Sequence, residues 1–134
     1  MKKLLSILCL AVVVAIFPGC TKKYITPNPN RTIVFNVPNS SWVLSNDGRS
    51  YYSVLDAPEI DSYFNEYGGV LVYFSFDNGT LYEQIPQVYD GIAYSYTHEQ
   101  GTIVLYAQTA DGVTPIKPAS SKLKLLLIDS DPVE

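Results

Sequence analysis

The chain has 134 residues and a formal net charge of −4, with 16% charged residues against 13% aromatic ones, eleven of them tyrosine. That length makes one domain with a real core and leaves no room for a second, catalytic one. The composition excludes disorder. With no Lys/Arg cluster beyond Lys22 and Lys23, nucleic acid has no electrostatic footing as a partner.

Residues 1–19 read as an export signal. Met1-Lys2-Lys3 is a basic start, and Leu4 to Phe17 is an apolar run too short for an ordinary membrane span. The run ends in Phe17-Pro18-Gly19-Cys20, where a small residue before cysteine resembles the lipobox of bacterial lipoproteins. The resemblance implies cleavage before Cys20 and acylation of its thiol, with Pro18 as a departure from the usual pattern. Loss of Lys2 and Lys3 moves the net charge to about −6. Cys9 leaves with the signal, so Cys20 stands alone, with neither a disulfide nor a cysteine-ligated zinc site to join. Residues 20–30 form the lipidated cysteine and a flexible linker, with Pro27 and Pro29 among Asn and Thr and no apolar period.

From residue 31 to 134, turn signals alternate with β-rich runs, which predicts an all-β fold: a single antiparallel β-sandwich of seven to eight strands with one short helical segment. The expected strands are Thr32 to Val37, Trp42 to Ser45, Tyr51 to Leu55, Val70 to Phe76, Thr80 to Gln84, Ile92 to His98, Thr102 to Thr109 and Lys122 to Ile128. Asp56-Ala57-Pro58-Glu59 predicts a capped helix start, with Ile60, Phe64 and Tyr67 on one face and Gly68 or Gly69 closing it. Asn78-Gly79 predicts a two-residue hairpin, and Glu99-Gln100-Gly101 a three-residue loop. The near-continuous apolar runs at Val70 to Phe76 and Leu123 to Ile128 predict central strands covered on both sides, whereas Thr80 to Gln84, stopping before Pro86, predicts an edge.

These motifs follow one another as a tryptophan strand, a Tyr-Tyr strand, Asp-x-Pro-Glu-Ile-Asp, Gly-Val-Leu-Val-Tyr, Ile-Pro and a terminal Lys-Leu-Lys strand. Their order resembles small lipoproteins of Bacteroidota and the all-β domain that ends some collagen-like proteins of that group. The resemblance covers about residues 40 to 129. It implies an outer-membrane sandwich and carries no catalytic residues.

Candidate chemistry is sparse. His98 is the only histidine, there is no Gly-x-Ser-x-Gly, and its place beside a turn predicts a solvent-exposed strand end. Asp56, Glu59 and Asp61, and separately Asp129 and Asp131, offer carboxylates for calcium or glycosidase work, though capping and terminal fraying account for them. Asn39-Ser40-Ser41 and Asn78-Gly79-Thr80 match a glycosylation pattern and read as turns. No metal and no cofactor is expected.

The tyrosines are the remaining signal. A loop pairing His98 with Thr102 sets Tyr94 opposite Tyr106 and Tyr96 opposite Val104 on one face, with Ala93, Ile103, Leu105 and Ala107 on the other. That aromatic face is either core or a ligand-binding ridge of Tyr94, Tyr96 and Tyr106. The sequence therefore reads as a non-enzymatic cell-envelope lipoprotein, anchored in the outer membrane by lipid and interacting with an envelope protein or other component. The alternative is a glycan-binding accessory lipoprotein that uses the tyrosine face on polysaccharide. With no acidic run after Cys20, the periplasmic side is favoured over the cell surface.

Overall fold

The structure, a computed structural model, describes residues 30–109, 111, 113–130 and 132–133. The signal, Cys20, the linker through residue 29 and Asp131 lie outside these residues. Among the described residues the strands are β1 (Arg31–Val37), β2 (Val43–Leu44), β3 (Ser50–Ala57), β4 (Gly69–Ser75), β5 (Glu83–Ile85), β6 (Gln87–Tyr89), β7 (Ile92–Glu99), β8 (Gly101–Thr109) and β9 (Ser121–Ile128). A 3₁₀ turn (Asn39–Ser41) and one helix, α1 (Ser62–Tyr67), complete the elements.

The strands form two antiparallel sheets, a four-stranded one in the order β1-β9-β4-β5 and a five-stranded one in the order β2-β3-β8-β7-β6. Alternation along the strands fixes the inner face of each sheet. Leu123, Leu125 and Leu127 of β9 and Val70, Val72 and Phe74 of β4 are buried on one side of the core. Ile103, Leu105 and Ala107 of β8 face them with Tyr94 of β7, and the cluster continues through Ile85, Val37 and Phe64. Trp42 lies between the sheets, its ring 6.4 Å from Phe74 and 6.5 Å from Tyr94.

The all-β sandwich is as expected, and β4 and β9 are central and β5 is at an edge. Four details differ. A ninth strand, β6, follows Pro86 and pairs with β7 through Asp90-Gly91, both at positive φ as a two-residue type I′ turn requires. The helix starts at Ser62, and Asp61 caps it by accepting the Phe64 N–H at 2.7 Å. Asp56 and Ala57 instead finish β3, because their pairing with Thr102 and Gly101 outweighs the local capping pattern. The β4–β5 register is the one a two-residue turn at Asn78-Gly79 demands, yet the ladder stops at Phe74 and Glu83. Beyond it, Asp77 accepts the N–H groups of Thr80 and Leu81 and holds the segment as a loop. Finally, β9 and β4 are buried on one face only. The outward Lys124 and Tyr73 are half-buried, with the Lys124 ammonium 5.0 Å from the Tyr73 ring and 4.2 Å from that of Tyr82.

Strand direction gives the sandwich two distinct poles. At one, β1 begins at Arg31 opposite Leu127, the guanidinium lies over the Phe64 ring of α1, and the β7–β8 turn closes against Ile60. At the other, roughly 20 Å along β1, lie the end of β1, the start of β9, the end of β4 and the Asp90-Gly91 turn.

Candidate functional site

The three tyrosines of the expected ridge do not share a face. His98 pairs with Ile103 and Glu99 with Thr102, so the turn has two residues, Gln100 and Gly101, rather than three. Gly101 takes φ of +77°, which no side chain hinders. That shift of one residue turns β8 over relative to β7. Tyr94 now stands opposite Ala107, and Tyr96 opposite Leu105, on the inner face. Tyr106 stands opposite Ser95 on the outer face, next to Tyr52 of β3 and within 3.4 Å of the Thr97 hydroxyl. Tyr96 is a core packer whose hydroxyl donates to the Val70 carbonyl across the sandwich at 2.6 Å.

Of the three, Tyr94 lines a cleft at the pole far from Arg31. This cleft of about 450 Å³ opens between Phe76 and Tyr89 on one side and the 113–120 loop, with Lys117, on the other, and Asp90, Tyr94 and Thr109 also line it. The aromatic wall is built from the core outward. Phe74 stacks on Phe76 at 5.6 Å, Phe76 on Tyr89 at 4.1 Å with the rings within 6° of parallel, and Tyr94 leans on Phe76 at 5.1 Å. The Asp90-Gly91 turn sets Tyr89 at the rim, 44% exposed.

The opposite wall is a loop fastened at many points. Thr109 donates to the Val113 carbonyl, Thr114 donates to the Gly48 carbonyl at 2.7 Å, and the Asn39 amide donates to the Pro118 carbonyl at 2.7 Å. Pro115 and Pro118 are buried, and between them Ile116 is 83% exposed. A second hollow of about 540 Å³ adjoins the cleft, shares Phe76 and Ser120 with it, and runs between Val37, Asp77 and Lys122.

Electrostatics separate structural from available groups. Asp77 is held below its ordinary value of 3.8 by the Leu81 N–H and then the Ser75 hydroxyl, and Asp47 by the Ser45 hydroxyl and the Arg49 N–H. Both carboxylates are therefore engaged in turns. The Tyr94 hydroxyl is pushed above 10.0 by burial and then by the negative charge of Asp90, so it stays a neutral donor.

The other candidates have structural roles. His98 is half-buried rather than solvent-exposed, its Nδ1 3.0 Å from Asn65 Oδ1 of α1. Asp61 is the helix cap, Asp56 lies exposed on the outer face of its sheet, and the Asp129 N–H is bonded to Asn30. Among the described residues no three His, Cys, Asp or Glu side chains converge, and no helix there is long and apolar enough to cross a membrane. Asn39 and Asn78 are both used in loops, Asn78 at φ of +62°.

The chain matches no family model, no curated protein and no solved structure. The cleft residues Phe76, Tyr89 and Ile116 were not singled out from sequence. The signal for Tyr89 was present in Asp90-Gly91 between Val88-Tyr89 and Ile92-Ala93, a hairpin pattern as strong as the one at Asn78-Gly79.

Proposed function

We propose that the protein is a cell-envelope lipoprotein, anchored through Cys20 in the outer membrane, that works without catalysis by binding another envelope component at the pole farthest from its anchor. One observation carries the reading: the N-terminal strand enters at the α1 pole, while the cleft and the exposed Ile116 lie at the opposite pole. A tether of about ten residues spans at most roughly 35 Å, enough to hold the domain clear of the headgroups, with the cleft on the pole away from the attachment. The lipobox-like Gly19-Cys20 and the motif order similar to Bacteroidota lipoproteins support the anchor and the compartment. The lack of an acidic run after Cys20 favours the periplasmic leaflet.

Polysaccharide is the second kind of component that suits this site, favoured by the three aromatic rings at the cleft. Two measurements test the reading. Cys20→Ala should abolish acyl labelling and release the protein from membranes. A photo-crosslinker at Ile116 should capture an envelope component that the same group at Glu99, on the α1 pole, does not. Equal capture from both poles, or an intact mass with an unmodified Cys20, would sink it.

A further inference from the structure

We infer that the cleft beneath Tyr89 is a subsite for a neutral sugar ring. The inference rests on the reading of this pole as the recognition end and names its ligand class. Phe76 is stacked between Phe74 and Tyr89, which leaves the exposed outer ring, Tyr89, as a platform held in place before a ligand arrives. Such a platform suits the apolar C–H face of a pyranose.

A second, independent observation points to a polar ligand. Tyr94 is only 4% exposed and lines the cleft, yet its hydroxyl has no hydrogen-bond partner among the described residues. It is also not sealed off, since the one fully buried polar side-chain atom without a partner there is Trp42 Nε1. A protonated donor thus opens into the cleft on an otherwise buried ring, and such a group gains most from a partner. The Asp90 carboxylate, which lines the same cleft, supplies the acceptor. A donor beside an acceptor matches neighbouring sugar hydroxyls, each of which can do both. By contrast, the Thr109 and Thr114 hydroxyls already donate, to the carbonyls of Val113 and Gly48.

Size and charge narrow the class. A volume of about 450 Å³ lies toward the small end of ligand pockets, which fits one or two rings. Asp90 and Lys117 both line the cleft and balance each other locally, so the site carries no excess positive charge to hold an anion, and the net negative charge of the chain disfavours uronic or sulfated sugars.

The test uses the full chain in detergent with gluco-, manno- and xylotriose, and galacturonic triose as the anionic comparison, read by saturation-transfer NMR. At least one neutral triose should show saturable transfer, and the anionic one none. Tyr89→Ala, at an exposed rim position, should abolish it. Tyr94→Phe, which keeps the ring and removes the hydroxyl, should weaken it by about tenfold or more. Tyr106→Ala, on the outer face, should leave it unchanged. The assignment is overturned by transfer to none of the neutral trioses, by equal transfer to the anionic one, or by binding that survives both cleft variants. Capture at Ile116 without any sugar transfer would discard the sugar and leave the recognition pole standing.

Discussion

Tyr94, Tyr96 and Tyr106 differ by what each hydroxyl and ring meets, and substitution should separate them. Tyr94→Ala removes a ring packed on Trp42, Phe74 and Phe76 and should cost about 3 kcal/mol or more in urea denaturation. Tyr96→Phe leaves the Val70 carbonyl without its donor and should cost about 1 kcal/mol. Tyr106→Ala, half-buried on an outer face, should cost less than Tyr94→Ala by about 2 kcal/mol. If Tyr106→Ala were the most damaging of the three, the register of β7 on β8 would be wrong. Asp77 governs a pH effect at the same scale. Its folded value lies below 3.8, so its contribution is complete above that value and is lost as pH falls through the folded one. Asp77→Asn, which keeps an acceptor but cannot titrate, should flatten the loss of melting temperature between about pH 4 and pH 2.

Among the elements, α1 depends on its ends. With six residues it cannot stand alone and needs Asp61 at the start and the Phe64 ring in the core. Asp61→Ala should destabilise the protein by about 1 kcal/mol, whereas Asp56→Ala should lie within about 0.5 kcal/mol, as for an exposed strand residue. The reverse order in thermal melts would restore the helix start read from sequence. That misplacement shows where sequence reasoning loses its grip. Asp-Ala-Pro-Glu carries the local grammar of a cap, but the decision lay with β8, whose Thr102 and Gly101 lie 46 and 44 residues beyond Asp56 and Ala57 and draw them into a ladder. The same holds at Gln100-Gly101. Alternation in β7 and β8 was plain in sequence, and only the turn length, a matter of one residue, decided which tyrosines faced inward.

For the whole molecule, the class of fold was legible because alternation and turn signals are local, and the centrality of β4 and β9 because their apolar runs are nearly continuous. The cleft was not legible. It joins residues after β4, around the β6–β7 turn and within the 113–120 loop, and no local pattern reports that these segments meet at one pole. The placement of β1 has a mechanical consequence. A pull on the N-terminal segment, resisted at the far pole, runs along β1 and loads its seven register pairs with β9 together, in shear. A pull between the N-terminal segment and residues after Ile128 starts at neighbouring points, since Arg31 pairs with Leu127, and opens the same ladder one pair at a time. Single-molecule stretching should therefore find a higher rupture force between the N-terminus and residue 116 than between the two ends of the chain. A domain loaded from its N-terminus therefore resists most strongly along the axis that joins its two poles.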